Sequence, residues 1–282
     1  MKTFWIRTAS AAVYALLFIG TMYSGTLLHN QDLGVLIFMA FLLFVAVGST
    51  FELFRIIHTQ GSRPNQLLGY ACAALTVLAF SLVTLKGHPL AGFQLMTLFL
   101  VFLPVLAALA VIAQLWGHSE RPFADAAYTL LPVTYIGFPL GVMPMLHVNY
   151  NVLMMVVLLV WVNDCFAYMG GSLFGRHKLW VRHSPGKTWE GSLCGMLFCL
   201  ATALFIGPLF ETKLLWFDWL ALGLICSVVA TLGDLAESML KRSVGLKDSG
   251  NIMPGHGGFL DRFDSLLIIM PFVFAYVTLR IF

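Results

Sequence analysis

Apolar residues along this chain come in nine runs, 8–28, 33–51, 67–86, 90–116, 125–146, 151–170, 189–210, 214–236 and 265–282, each closed by a short polar break. Apolar runs of about 20 residues match the thickness of a bilayer's hydrocarbon core at the rise of an α-helix. The breaks at 29–32 and 87–89 leave room only for a turn, so the helices they join are antiparallel hairpins. The pattern predicts an all-α integral membrane protein of about nine transmembrane helices. Pro132, Pro139 and Pro144 share the fifth run and are expected to kink it. Lys2 and Arg7 precede the first run as they would a secretory leader. That run is too long for one, and the membrane pattern continues behind it, so it is read as a retained first helix.

Composition removes the soluble alternative. Only 10% of the 282 residues are charged and 60% are hydrophobic, with a mean hydropathy of +0.89. Soluble chains carry about 25% charged residues. The net charge of +3 makes no case for a nucleic-acid partner, and none is expected. Placement of the cations says more. With the N-terminus in the cytoplasm, 13 of the 16 Lys and Arg fall in cytoplasmic segments, and Lys86, Lys213 and Arg280 fall on the other side. A helix count wrong by one would scramble that asymmetry. Trp5, Trp116, Trp180, Trp189, Trp216 and Trp219 fall near helix ends, as interfacial aromatics do. Cys72, Cys165, Cys194, Cys199 and Cys226 lie in or near apolar runs and form no C-x-x-C pair. They are read as small buried residues, neither a disulfide framework nor a zinc ribbon.

Polar chemistry gathers in the second half. Residues 1–150 read as scaffold and a candidate dimer surface, and 151–282 as the catalytic part, with cytoplasmic loops at 171–188 and 237–264. The sequence shows no internal repeat and none of the paired broken helices of an inverted-repeat transporter.

Three clusters carry the chemistry. The first begins at Asn163-Asp164, passes Gly170-Gly171 and reaches Ser184-Pro185-Gly186-Lys187-Thr188-Trp189-Glu190-Gly191. A carboxylate such as Asp164 inside an apolar run is costly and usually functional; the plain alternative is a partner for a buried cation or helix end. Ser184, Lys187 and Thr188 put a cation and hydroxyls at a helix start, where backbone N–H groups favour an anion, against the alternative of an ordinary interfacial turn. Gly186-Lys187-Thr188 is not a P-loop, because Val181 stands where that pattern needs glycine and no strand–loop–helix context is expected.

The second cluster is Gly233-Asp234-Leu235-Ala236-Glu237-Ser238. Asp234 and Glu237 are three apart and share a helix face, and Lys241, four beyond Glu237, is an obvious ion-pair partner for it. Asp234, set among apolar residues, is read as a metal or catalytic group. The third cluster runs to Asp264 and holds Lys241, Arg242, Lys247, Asp248, His256, Asp261, Arg262 and Asp264 on a glycine-rich backbone. Cations and carboxylates mixed in this way suit phosphates bound together with a metal ion. Asp261 and Asp264 are three apart and can meet on one side of a helical turn, although Asp264 could merely cap the last helix. Oxygen ligands with no cysteine nearby favour Mg²⁺ over Zn²⁺. His256 alone is no zinc site.

The stretch from Ser238 through Lys241-Arg242, Lys247-Asp248, Gly250 and Pro254 to His256-Gly257-Gly258-Phe259-x-Asp261-Arg262-Phe263-Asp264 closely resembles the signature of the phosphatidate cytidylyltransferases, or CDP-diacylglycerol synthases. The boxes at 184–191 and 233–238 resemble that family's as well, and together the three cover most of 163–264. Met253 stands where Leu, Ile or Phe is expected, a departure that touches nothing catalytic. The resemblance implies transfer of the cytidylyl group from CTP to phosphatidate, giving CDP-diacylglycerol and pyrophosphate. It implies an Mg²⁺-dependent membrane enzyme, with K⁺ as a candidate second ion and a homodimer as the assembly. Metal binding is carried onto Asp234 and Asp261, with Asp264 and Asp164 as further candidates. Contact with substrate phosphates or nucleotide falls to Ser184, Lys187, Thr188, Lys241, Arg242, Lys247, His256, Gly257, Gly258 and Arg262. Lys187, Asp234, Asp248, Asp261 and Asp264 are the expected catalytic set.

Two rivals stay open on the residues. A CTP-dependent polyprenol or dolichol kinase would also bring a nucleotide to a membrane lipid, but would move the γ-phosphoryl group and release CDP. A transporter could use Asp164 and Asp234 in an ion path, although transport sites lie near the bilayer midplane and these groups collect at one face. A compact chain of this kind is expected in a bacterial cytoplasmic membrane.

Overall fold

The computed structural model describes residues 2–85, 89–116, 119–148, 151–211, 213–250, 252 and 257–281. Helices dominate: α1 (Lys2–Met22), the short α2 (Ser24–Leu27), α3 (Gln31–Thr59), α4 (Gln66–Leu85) and α5 (Pro89–Ala113), which ends in a 3₁₀ turn (Gln114–Trp116). Then come α6 (Pro122–Pro132), a π-helical turn (Val133–Gly137), α7 (Phe138–Val148), α8 (Leu153–Phe174), α9 (Trp189–Phe210), α10 (Trp216–Ser243) and α11 (Leu260–Ile281). Each expected apolar run falls largely on helix among the described residues. Among the described residues, eight helical stretches are long and apolar enough to cross a bilayer, and α1 adds the shorter apolar stretch Ala12–Met22. The chain is an all-α integral membrane protein.

The departures from expectation are physical. The helices outrun the oil: α3 continues to Thr59, α10 to Ser243, and α11 begins at Leu260. Hydropathy marks the bilayer, whereas a helix ends only where its backbone finds other partners. The fifth span, Pro122–Val148, is continuous. Its irregularity is the π turn Val133–Gly137 directly behind Pro132, in which the Phe138 N–H donates to the Val133 carbonyl. Part of the expected loop 171–188 is an antiparallel hairpin of β1 (Lys178–Trp180) and β2 (Ser184–Thr188), pairing Lys178 with Thr188 and Trp180 with Ser184. Trp219, expected at the interface, is buried and packs where Gly207 leaves room for its ring. Cys165 is exposed and Cys194 half-buried; only Cys72, Cys199 and Cys226 are buried as expected.

The chain forms two compact units, Met1–Val148 with Asp248–Arg262, and Asn149–Lys247 with Phe263–Phe282. The first has an aromatic and aliphatic core in which Phe18 meets Phe38 edge-on at 5.9 Å and Phe80 meets Phe138 at 5.4 Å. In the second, small residues bring α8 and α9 together. A Cβ on Gly191 would stand 2.6 Å from the Ala167 carbonyl oxygen and 2.9 Å from Gly171 Cα, so only glycine permits this approach. In lipid, close packing of this kind replaces the hydrophobic drive that water would supply. It also fixes the start of α9 against the face of α8 that carries Asn163 and Asp164.

Candidate active site

The second unit holds a cavity of about 560 Å³. Asn163, Asp164, Ala167, Tyr168, Gly171 and Ser172 of α8 form one wall. Ser184, Gly186, Lys187 and Thr188 of β2 form another, and Ser192 of α9 with Thr231 and Asp234 of α10 close it. The hairpin is what turns the Ser184–Thr188 box into a wall, since β2 runs straight into α9. This is strand followed directly by helix, with no glycine-rich loop between them, so the P-loop reading still fails.

Lys187 lies at the centre of the charge pattern. Its Nζ is 2.6 Å from Asp234 Oδ2 and donates to the Thr231 carbonyl at 3.2 Å. The two side chains are 25% and 37% exposed, so the pair is open to an incoming ligand. Asp234 Oδ1 also accepts from Ser238 Oγ at 3.3 Å. Thr188 caps α9, accepting from the Gly191 N–H at 3.2 Å, while the Trp189 N–H donates to the His177 carbonyl at 3.0 Å. Two amides at this helix start are thus taken within the protein. Glu190 accepts from the Arg176 N–H at 3.1 Å and pairs with His177 Nδ1 at 2.6 Å, which clasps the base of the hairpin.

Beside the Lys187 pair stands a group of carboxylates. One oxygen each from Asp234, Glu237 and Asp264 lie within 4.8 Å of one another. Asp234 and Glu237 sit one turn apart on α10, and Asp264 comes from the second turn of α11. Because α11 starts at Leu260, Asp264 is not its N-cap. Glu237 is buried and pairs with Lys241, as the spacing predicts, yet it also belongs to the carboxylate group. The spacing that puts Asp234 and Glu237 on one helix face is the sequence signal for this second membership.

The remaining expected residues are placed as follows. Asp164 lines the cavity with Asp234. Arg242 donates to the Leu246 carbonyl at 3.1 Å, and Lys247 and Asp248 are exposed. The Asp261 carboxylate accepts from the Ser249 N–H and Oγ–H, both at 2.9 Å, and from the Gly258 N–H at 2.8 Å. Gly257 has φ +83°, a backbone conformation that favours glycine. Arg262 Nε is buried with no hydrogen-bond partner among the described residues. His256 lies outside the described residues. Tyr168, Ser192 and Thr231 line the cavity without having been singled out from sequence, since single hydroxyls on apolar helices carry no motif.

A profile of the Cytidylyltransferase family matches residues 5–280 of the 282. The chain belongs to the cytidylyltransferase family. The phosphatidate cytidylyltransferase of Staphylococcus saprophyticus is 31% identical over 269 residues, covering 94% of this chain and 96% of its own. That of Staphylococcus epidermidis is 30% identical over 269 residues, with the same coverage of both chains. That of Staphylococcus aureus is 42% identical over 163 residues, 55% of this chain and 60% of its own. The family resemblance that rested on 163–264 therefore extends over nearly the whole cytidylyltransferase chain.

Proposed function

We infer that the chain transfers the cytidylyl group of CTP to phosphatidate, forming CDP-diacylglycerol and releasing pyrophosphate. The observation that carries this reading is the Lys187–Asp234 pair on the cavity wall, flanked by the carboxylate group of Asp234, Glu237 and Asp264. Full-length relatives named for this reaction support it.

A phosphatidate phosphate oxygen attacks the α-phosphorus of CTP. The bond from that phosphorus to the β-phosphate oxygen breaks, and pyrophosphate leaves with the electron pair. The nucleophile is already an anion, so the step needs no general base and no covalent enzyme intermediate. The task is to bring two anions together and hold them in line. Lys187 can exchange its contact with Asp234 for a phosphate oxygen. Ser184 offers a hydroxyl on the same strand, and Lys241 and Arg242 at the end of α10 supply further positive charge for the leaving pyrophosphate.

The carboxylate group fits a hard divalent ion. One oxygen from each of Asp234, Glu237 and Asp264 lies within 4.8 Å of the others, near enough for the three to share one hard cation with oxygen ligands. Bound there, Mg²⁺ would act as a Lewis acid on phosphate oxygens. The cation bias of the chain supports a cytoplasmic position for the hairpin and the end of α10, where CTP is available, while the acyl tails of phosphatidate stay in the bilayer. With the staphylococcal relatives, this supports a bacterial cytoplasmic membrane as the location.

Purified protein given phosphatidate, Mg²⁺ and CTP labelled at the α-phosphorus should move label into chloroform-extractable lipid and release unlabelled pyrophosphate. Label moving from the γ-position instead would make the protein a lipid kinase. Transfer of neither label by folded protein would overturn the reading.

A further inference from the structure

The first unit contains a buried acid that the reaction above does not use. Glu52 lies on α3, seven residues before its end, between Phe51 and Leu53, and is 1% exposed. A carboxylate buried in a membrane helix is costly unless donors surround it. Three do, and all come from the glycine-rich signature segment about 200 residues downstream. The Phe259 N–H donates to Oε1 at 3.0 Å, the Leu260 N–H to Oε2 at 2.8 Å, and the Ser249 Oγ–H to Oε2 at 2.9 Å. Two of these donors are amides at the start of α11, which have no partner within their own helix. Glu52 therefore caps α11 from another helix, with its negative charge at the positive end of the helix dipole.

The fit is steric as well as polar. A Cβ on Gly250 or Gly258 would overlap the Glu52 carboxylate, so both positions leave room for it. One and two turns earlier on the same face of α3, Gly48 leaves room for the Phe259 ring and Phe44 meets that ring edge-on at 5.1 Å. Ser249, 2% exposed, joins Glu52 to Asp261. Its Oγ lies 2.9 Å from Glu52 Oε2 and 2.9 Å from Asp261 Oδ2. One hydroxyl proton serves one acceptor at a time, so moving either carboxylate changes what the other receives.

We propose that Glu52 is a positioning residue, which holds the signature segment and the Asp261 carboxylate in the geometry that cytidylyl transfer requires. The proposal rests on that reading of the reaction. Glu52→Gln keeps shape but turns an amide NH₂ toward one of the donating N–H groups. Folded, monodisperse Glu52→Gln should lose about 10- to 100-fold in kcat, with KM for CTP and for phosphatidate changed by less than about threefold. Hydrogen exchange of the 258–260 amides should quicken by about tenfold or more. Ser249→Ala should lower kcat by a smaller factor, and the double variant should lose much less than the product of the two single losses.

A wild-type kcat per folded Glu52→Gln molecule would overturn the proposal, and so would unchanged exchange at 258–260 or strictly multiplicative losses. Should Glu52→Gln not fold, Gly250→Ala decides the matter, because its methyl group would stand 2.3 Å from Glu52 Oε1 at a position given no role in substrate contact. Loss of kcat in the folded variant supports the proposal and a wild-type kcat overturns it. If wild-type protein transfers no α-label to lipid, the reaction assignment fails, while hydrogen exchange still reports whether Glu52 holds the segment.

Discussion

Lys187→Ala is the sharpest single perturbation of the site. The ammonium has two contacts, to Asp234 Oδ2 at 2.6 Å and to the Thr231 carbonyl at 3.2 Å, and it faces the cavity. A hydrogen bond to a charged group contributes about 1.5–3 kcal/mol, which as lost transition-state binding is about 10- to 150-fold in kcat/KM. Lys187 is 25% exposed, so water can take over part of its role. That argues for the lower half of the range, about 10- to 40-fold. Stability should barely move. The Asp234 side of the pair is 37% exposed, and screened pairs of this sort contribute about 0.2–1 kcal/mol, or about 2 °C in melting temperature for a chain of this length. Transfer of α-labelled phosphate to lipid gives the rate, and circular dichroism with detergent chromatography gives the folded fraction. Because Lys187 and Asp234 touch, the losses of Lys187→Ala and Asp234→Asn should be non-additive, with the double variant better than the product predicts. A folded Lys187→Ala with kcat/KM within threefold of wild type would refute the role given to Lys187.

Asp264→Asn and Glu237→Gln should each raise the Mg²⁺ concentration for half-maximal rate by about tenfold or more, and Mn²⁺ binding followed by electron paramagnetic resonance should weaken in parallel. An unchanged metal dependence in folded protein would remove that residue from the ion site. Gly191→Ala should cost about 1–3 kcal/mol, because the new Cβ meets the Ala167 carbonyl at 2.6 Å; an unaltered thermal transition would disprove the tight α8–α9 contact. Arg182→Cys and Lys247→Cys, both at exposed positions, should resist an impermeant thiol reagent in intact cells expressing an otherwise Cys-free protein. Labelling of both from outside would reverse the orientation.

The membrane helices were legible because lipid demands about 20 apolar residues in sequence, and nothing in a soluble core imitates nine such runs. Helix ends were not legible, because polar residues past the bilayer surface obey capping and ion pairing that hydropathy cannot see. The hairpin escaped for a related reason. β1 is three residues long, and β2 contains Pro185 and Gly186, so neither shows an apolar alternation. Its shape depends on Glu190 gathering the backbone of Arg176 and His177, a contact that spacing alone does not announce.

The acidic residues separate what sequence can and cannot assign. Asp234 and Asp264 are both metal candidates on sequence, and the structure gathers them with Glu237, for which the spacing favours an ion pair with Lys241. Asp261 was paired with Asp264 by helical spacing, yet its carboxylate accepts three bonds from Ser249 and Gly258. Residues three apart on a helix share a face, but which donors each one meets depends on segments distant in sequence. Glu52 shows the same limit more sharply. The argument that singled out Asp164, a carboxylate costly in apolar surroundings, applies equally to Glu52, whose immediate neighbours are Phe51 and Leu53. It stood one residue beyond the run predicted to end at 51, where a charge looks like an ordinary interfacial residue. Only the continuation of α3 to Thr59 makes it an interior group, and an interior acid must find donors. The donors come from a segment whose glycines leave room for the acid and whose amides start a helix. That segment can also be read without Glu52, as a phosphate loop whose glycines and free amides await substrate. Part of that capacity is already committed to a protein carboxylate, so the signature's glycines serve the enzyme's own scaffold as well as any ligand.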